Sequence, residues 1–168
     1  SMPEPLVDLR EGSVVNLACF EVAGQEFALE VTTVGEIVRV VEIAPLPNAP
    51  TLIEGVIDLR GIVIPVVDLA TVLGVGKGSA TLQARIVVLE LDGIVLGLRV
   101  DAATDVMTID AARLEDVPDL ATEAGYDAIR HVVRREGARP VMVLSLDALV
   151  EAVYRSALPG RVSEGEQR

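Results

Sequence analysis

The sequence predicts an all-β fold built from two repeats of a small barrel, and three observations support it. Valine-rich stretches alternate with glycine-containing turns, a pattern typical of paired strands. Aromatic residues make up only 2% of the chain, so aliphatic side chains must form the core. The chain also matches itself, because residues 20–24 resemble residues 89–93 at an offset of 69 positions. A chain of 168 residues can bury such a core without disulfides or metal.

Five strands are predicted in the first half of the chain. They are residues 14–22, 26–31, 34–41, 53–57 and 62–67. Gly24 and Gly61 lie in the intervening turns and favour hairpins, since glycine adopts left-handed backbone conformations readily. Pro65 has no N–H to donate to a neighbouring strand, so we expect its strand to lie at a sheet edge. Asp68 is a predicted N-cap for a short helix that ends at Leu73.

The second half repeats this order after a glycine-rich joint at residues 74–80. Its predicted extended segments are residues 85–91, 94–100, 105–109, 128–134 and 140–144, with a loop at 117–125. Ser145 is a predicted N-cap for a C-terminal helix, whose apolar positions recur at helical spacing as far as Val153. Pro159 and Gly160 are expected to end that helix.

The internal repeat extends beyond the first turn. At the offset of 69, Ile37 falls on Val106, and after an insertion Gly61 falls on Gly137. The matches keep turn glycines and apolar positions, as a duplicated barrel requires. The predicted organisation is an arm at residues 1–12, one domain at 13–158 and a disordered tail at 159–168. Approximate subdomains are 13–80 and 81–158, and strands near the joint are allowed to swap between them.

Charge and composition exclude several classes of function. The net charge of −12 repels phosphate backbones and anionic membrane surfaces, which makes nucleic-acid and membrane binding improbable. A single cysteine rules out an internal disulfide and suits a reducing compartment. Neither a signal peptide nor an apolar stretch long enough to span a membrane is recognised, so a cytoplasmic protein is expected, and Ser1 before Met2 resembles an expression scar.

Few residues are suited to catalysis. His131 and Cys19 are the sole histidine and cysteine, and each lies in an apolar stretch where a structural role is the more common one. Clustered ligands for a metal are missing, and no glycine-rich loop has the arrangement of a phosphate-binding motif. We therefore expect no catalytic residues, no metal site and no cofactor.

Two charged residues are candidates for contacts with other molecules. Arg60 is predicted at a hairpin tip, and Glu36 on an extended segment, where strand periodicity places Val34 and Val38 on the same face. Structural explanations are equally acceptable: a turn charge for solubility, and an edge charge that discourages pairing between sheets.

The sequence resembles the CheW family from about residue 16 to residue 153. The resemblance is strongest over residues 46–69, where a proline-containing loop precedes Gly-Val, Asp-Leu-Arg-Gly, a strand, a proline and Asp-Leu. It implies two five-stranded, SH3-like barrels around a shared apolar core, with short helices. It also implies an adaptor at receptor arrays beneath the inner membrane. One surface would accept the cytoplasmic tip of a chemoreceptor, and another the regulatory domain of the CheA histidine kinase.

The resemblance assigns residues to both surfaces by position. Val34, Glu36 and Arg60 resemble the receptor-binding set, with Glu36 and Arg60 able to pair across a groove. The kinase-binding set comprises Ile43, Ala44 and Gly55.

Three positions depart from the family pattern, and two other functions stay open. Asp58 replaces the usual Asn, His131 stands where Gly is common, and Glu54 replaces an often basic residue, which changes the charges available for kinase pairing. The adaptor could instead serve another receptor–kinase pathway, such as twitching or gliding motility. A small-molecule-binding regulator or a hydrolase would require a deep, enclosed pocket with convergent polar groups.

Overall fold

Residues 12–118 and 128–157 are described by the computed structural model of the chain. The predicted N-terminal arm, apart from Gly12, and the predicted tail lie outside the described residues. So do residues 119–125 of the predicted loop and the Pro159-Gly160 end of the last helix.

The described residues form eleven strands and two α-helices. The strands are β1 (Val14–Val22), β2 (Gln25–Glu30), β3 (Val34–Arg39), β4 (Ile53–Leu59), β5 (Ile62–Asp68), β6 (Arg85–Leu91), β7 (Ile94–Val100), β8 (Ala102–Asp110), β9 (Leu114–Asp116), β10 (Ile129–Arg135) and β11 (Ala138–Leu144). The helices are α1 (Leu69–Leu73) and α2 (Leu146–Ser156). Short 3-10 turns at Val31–Thr33 and Ala111–Arg113 precede β3 and β9. The predicted all-β class with short helices is confirmed.

The strands are arranged in two sheets. One has six strands in the order β8-β1-β2-β11-β10-β9, and the other has five in the order β3-β6-β7-β5-β4. The extra strand of the larger sheet is β9, which the sequence did not predict. Each sheet combines strands from both sides of the joint at residues 74–80, since β1 and β2 pair with late strands and β6 and β7 with early ones.

The pairing registers repeat along the chain. Ala18 of β1 lies opposite Val106 of β8, and Val87 of β6 lies opposite Ile37 of β3. Ala18 and Val87, like Ile37 and Val106, are separated by the same 69 positions that relate the two halves of the sequence. Each sheet also holds one parallel pair, β2 with β11 and β5 with β7. The internal repeat is therefore a repeat of structure, with the hairpins of the two halves exchanged between the sheets.

Buried apolar side chains form three clusters, one between the two sheets and one within each sheet. Alternate residues of one strand serve different clusters: Val87 and Leu89 lie in a core shared by both sheets and both helices, whereas Ile86 and Val88 face a cluster within the five-stranded sheet. That inner cluster receives side chains from all five strands, so the sheet is strongly curled. A corresponding cluster within the six-stranded sheet includes Cys19. Full burial of one such side chain contributes about 1.5–3 kcal/mol.

The prediction that the strand of Pro65 lies at an edge is wrong. Strand β5 is internal, with β4 on one side and β7 on the other. The proline is accommodated because β7 pairs only with Val66, Val67 and Asp68, immediately after Pro65. Pro65, which has no N–H, therefore lies just before the part of β5 that forms hydrogen bonds with β7.

Both predicted helix caps are confirmed. The Asp68 carboxylate accepts a hydrogen bond from the Ala70 N–H at 3.2 Å, and the Ser145 hydroxyl accepts one from the Ala148 N–H at 3.2 Å. These side chains satisfy N–H groups that a helix leaves without an intrahelical acceptor.

Candidate functional site

The two charged candidates of the receptor-binding set meet at one end of the five-stranded sheet. Arg60 and Gly61 form the two-residue turn between β4 and β5, with φ angles of 53° and 85°, and the Gly61 N–H donates to the Asp58 carboxylate at 2.7 Å. The Arg60 guanidinium donates to the Glu36 carboxylate across the sheet end. The pair remains open to solvent, since 69% of the Arg60 side chain and 39% of the Glu36 side chain are exposed.

Curling of the sheet explains how these two residues meet. Strands β3 and β4 lie at opposite edges in the hydrogen-bonding order. A single bridge joins those edges downstream of β3, where Ala44 and Val56 exchange two backbone hydrogen bonds of 2.9 Å. The chain between Arg39 and Ala44 thus spans the gap, as the SH3-like pattern requires.

Val34 is separated from the charged pair by an irregularity in β3. The register with β6 shifts between Val34 and Glu36. As a result Val34 packs against the shared core, whereas Val38 packs against the cluster within the five-stranded sheet. The expectation that Val34, Glu36 and Val38 share one face is wrong, because it assumed an unbroken alternation along the strand.

The kinase-binding set is contiguous in space. Ala44 is exposed, Ile43 is half-buried, and buried Gly55 lies directly beneath them on β4. A Cβ at Gly55 would lie 2.3 Å from the Ala44 carbonyl oxygen and 2.8 Å from Cγ2 of Ile43. Only glycine allows this approach, so Gly55 supports the exposed segment from below.

An ion-pair network beside this segment was not predicted. Nε of Arg99 donates to Glu54 at 2.9 Å, and Nη2 lies 3.3 Å from Asp68. Arg99 is nearly buried, with 12% of its side chain exposed. Asp68 also accepts the Gly78 N–H at 2.7 Å, which ties the glycine-rich joint to the sheet. The pattern of the sequence contained no signal for Arg99, because it lies in an otherwise apolar strand far from Glu54 along the chain.

Cys19 and His131 are not brought together. They lie on β1 and β10 of the six-stranded sheet, with β2 and β11 between them in the pairing order. Burial, reinforced by Glu26 and Asp105, raises the pKa of the Cys19 thiol to about 11. A thiol that stays protonated at neutral pH is a poor nucleophile.

Two cavities on the described surface lack the features of a small-molecule site. One of about 170 Å³ lies between α2 and the five-stranded sheet and is lined by apolar residues such as Ile53, Ile94 and Val153. Another, of about 470 Å³, is an open groove next to Ile43. Neither is a deep enclosure with convergent polar groups, the feature that a small-molecule regulator or a hydrolase would require.

Two searches of the described residues were negative. In the ranges 12–118 and 128–157, no group of three or more histidine, cysteine or acidic residues is placed to hold a metal ion. Neither helix in those ranges has the length and apolar character needed to cross a membrane.

Comparison with known proteins gives a consistent set of relatives. The family described as the CheW-like domain matches residues 16–153. The chemotaxis protein CheW of Rhizobium meliloti is 34% identical over 141 residues, which cover 84% of this chain and 90% of that protein. CheW of Bacillus subtilis is 31% identical, with coverage of 83% and 90%.

Two further relatives are a protein with a different name and a solved structure. Protein FrzA of Myxococcus xanthus is 27% identical over 83% of this chain and 88% of its own length. The crystal structure of the scaffolding protein TtCheW from Thermoanaerobacter tengcongensis superposes with a TM-score of 0.73 at 29% identity, covering 86% of this chain and 93% of that one.

Proposed function

We infer the function of this chain from one premise: it belongs to the family of CheW-like domain proteins. Members of this family are non-catalytic scaffolds of chemotaxis, and the chain is a chemotaxis adaptor in signal transduction. We propose that it couples the cytoplasmic tip of chemoreceptors to the regulatory domain of a CheA-type histidine kinase, and that it acts at receptor arrays beneath the inner membrane. The carrying observation is the presence of two separate candidate surfaces on one sheet.

The proposed receptor surface is the end of the five-stranded sheet that holds Glu36 and Arg60. A receptor tip is an amphipathic helical structure, which requires exposed contact groups beside apolar ones. Ile62 and Val63 supply the apolar part, since 61% and 64% of these residues are exposed next to the Arg60 turn. The charged pair would orient the helix more than it would hold it, because an exposed ion pair contributes under about 1 kcal/mol. Val34 would support this surface from the core side.

The proposed kinase surface is the segment of Ile43 and Ala44 above Gly55. Its backbone is held by the Ala44–Val56 bridge, so it needs little ordering when a partner binds. The exposed apolar residues Val41 and Leu46 flank it, and such side chains are the usual source of affinity in an interface. A kinase regulatory domain of the same CheW-like type would present a comparable surface.

A second candidate is the same activity in another receptor–kinase pathway. The match to FrzA supports this second candidate, because FrzA is similar to this chain over most of both lengths. Co-purification of the chain with the receptors of each system in its own organism separates the two.

Binding to the kinase tests the proposed function directly. The purified chain is titrated into the isolated regulatory domain of the CheA-type kinase from the same organism by isothermal titration calorimetry. We expect a complex with a dissociation constant at or below tens of micromolar, as for transient signalling interfaces. A correctly folded chain that shows no heat of binding at that concentration contradicts the proposal.

A further inference from the structure

Two arginines lie directly opposite each other at one end of the five-stranded sheet. Arg39 is the last residue of β3 and Arg85 is the first residue of β6, and the antiparallel register places one against the other. Residues opposed in this way share a face of the sheet and have Cβ atoms about 4.5–5.5 Å apart. Arg39 is exposed and Arg85 is half-buried. The backbone of the sheet thus holds two positive charges side by side.

No ion pair compensates these charges within residues 12–118 and 128–157. Neither arginine forms one there, whereas five other arginines do. Nη1 of Arg85 donates to the carbonyl oxygens of Leu82 and Ala84 at 2.9 and 2.8 Å, and these acceptors hold the guanidinium without neutralising it. Like charges directly opposite each other destabilise a sheet, so the pair is unfavourable for the fold by itself.

Protection of a sheet edge does not explain the pair. Strand β3 is an edge strand, and a charged side chain on it discourages pairing with another sheet. That explanation accounts for Arg39 but not for Arg85, because β6 is internal, with β3 on one side and β7 on the other. A neutral residue opposite Arg39 would protect the edge equally well without the repulsion. The second arginine therefore indicates a ligand that carries negative charge.

The arginine pair lies apart from both proposed surfaces. Val38 and Ile86, the adjacent opposed residues, pack into the cluster within the five-stranded sheet, and strand alternation places the arginines on the other face. Ile43 of the proposed kinase surface packs against that same cluster, so the pair faces away from it. Along β3, Arg39 lies three positions after Glu36, a distance of about 10 Å.

We propose that Arg39 and Arg85 bind a carboxylate of an acidic segment in a partner protein, as a third interaction surface of the chain. Guanidinium groups bind carboxylates through paired, charge-assisted hydrogen bonds. Ile37 lies two positions before Arg39 on the same face and is 41% exposed, so it supplies an apolar contact beside the charges. A nucleic acid or a membrane requires an extended basic face, which the net charge of −12 opposes. The inference does not depend on the proposed function, since neither proposed surface includes these arginines.

Titration with an acidic peptide tests the pair. Hexaglutamate is added to the full chain at low ionic strength, and binding is followed by nuclear magnetic resonance of the arginine Nε–H groups. We expect saturable shifts of the Arg39 and Arg85 signals, and binding weakened about fivefold or more by Arg39→Gln or by Arg85→Gln. Arg134→Gln is the matched control, because Arg134 is exposed but already paired with Glu115, and it should bind the peptide as the wild-type chain does.

Two outcomes of this titration would overturn the proposal. One is the absence of saturable binding to the wild-type chain, and the other is undiminished binding by both variants of the pair. Hexathymidylate, a single-stranded DNA of comparable charge, is the second probe and should bind more weakly than the peptide. Equally tight binding of this DNA would reveal a general anion site and contradict the assigned partner.

Thermal denaturation of the same variants tests the repulsion within the pair. Arg39→Gln removes it, so we expect the melting temperature of the free chain to rise by about 1–3 °C at low ionic strength, and by less at high salt, which screens the charges. Arg134→Gln makes the same change in net charge and should not raise the melting temperature. A lower melting temperature for Arg39→Gln at low ionic strength would show that Arg39 supports the fold and would contradict its role in binding.

Discussion

The two sheets repeat one pattern, but the charged side chains that link non-neighbouring strands differ between them. At the end of the five-stranded sheet the link is the solvent-exposed pair of Glu36 and Arg60. In the six-stranded sheet Glu26 makes the link, accepting from the Thr104 hydroxyl at 3.1 Å and from the Arg135 guanidinium at 3.2 Å. Only 28% of the Arg135 side chain and 22% of the Glu26 side chain are exposed. The same architecture therefore has one link available to a partner and one that is largely internal.

Repeat-related positions explain the difference. The position of Arg60 corresponds to Glu136, and that of Glu36 corresponds to Asp105, by the offsets that align Gly61 with Gly137 and Ile37 with Val106. Two acids cannot form an ion pair, so the charge pair is not repeated. The proposed receptor surface consequently belongs to the five-stranded sheet alone.

The segments that cover the two sheets also differ. In the five-stranded sheet only Ala44 bridges to β4, above Gly55. In the six-stranded sheet β9 pairs with three residues of β10, including His131, which occupies the position related to Gly55. A single bridge holds the segment of Ile43 and Ala44 against β4. The position of this segment therefore depends on Gly55, which has no side chain to push it away.

Gly55→Ala should have the largest effect on this comparison. The added Cβ would lie 2.3 Å from the Ala44 carbonyl oxygen, so the covering segment must move. We expect a loss of about 1–3 kcal/mol in the free energy of unfolding and kinase binding weakened more than tenfold. Chemical denaturation and calorimetry measure these quantities. Gly35→Ala is the control, because a Cβ there meets only the Val88 carbonyl oxygen at 3.3 Å, and its binding should be nearly normal.

Arg60→Glu should separate binding from stability. It places two acids together at the proposed receptor surface, so we expect about tenfold weaker binding of a receptor-tip fragment with an unchanged melting temperature, since exposed pairs contribute little to stability. Arg134→Glu is a matched control, because Arg134 forms an exposed pair with Glu115 on the other sheet. Normal receptor binding by Arg60→Glu would remove Arg60 from the site.

Arg135→Met should have the opposite profile. It removes the hydrogen bonds to Glu26 and to the Arg139 carbonyl in a half-buried setting. We expect a loss of about 1 kcal/mol in the free energy of unfolding and unchanged receptor binding. Arg60→Met, measured by the same urea denaturation, should lose less. Equal losses from the two variants would show that the two links are equivalent.

The smallest effect concerns Cys19, beneath the internal link. Burial first, and then Glu26 and Asp105, raise its pKa from 9.0 to about 11. The folded state thus favours the neutral thiol, and its contribution to stability is complete below pH 9 and is lost as the pH rises towards 11. The wild-type chain should lose more stability over this interval than Cys19→Ala, measured by thermal denaturation at each pH. Parallel losses would contradict the assigned environment of the thiol.

Local features of the fold were predictable from the sequence, and long-range ones were not. The turns at Gly24 and Gly61 and the caps at Asp68 and Ser145 depend on neighbouring residues, and the structure confirms them. The expectation that a proline marks an edge strand considers only the missing N–H of Pro65. It does not consider how far β7 extends along β5, and this extent is what allows β5 to be internal. The exchange of hairpins between sheets is likewise a matter of which strands meet in space.

The candidate site divides in the same way. The resemblance brought out Glu36 and Arg60, and the structure places them in contact. Their contact depends on sheet curling, and the pairing of Glu54 with Arg99 depends on the approach of β4 to β7 across β5. Neither distance is encoded in spacing along the chain, and β9 is too short at three residues to produce a recognisable alternation.

Simultaneous binding of both partners tests the central claim most directly. The chain is saturated with a receptor-tip fragment and then titrated with the kinase regulatory domain, and the mass of the product is measured by analytical ultracentrifugation. Two separate, preformed surfaces predict a ternary complex in which the kinase domain binds as tightly as to the free chain. Displacement of the receptor fragment by the kinase domain would show that the partners share one surface and would contradict the account.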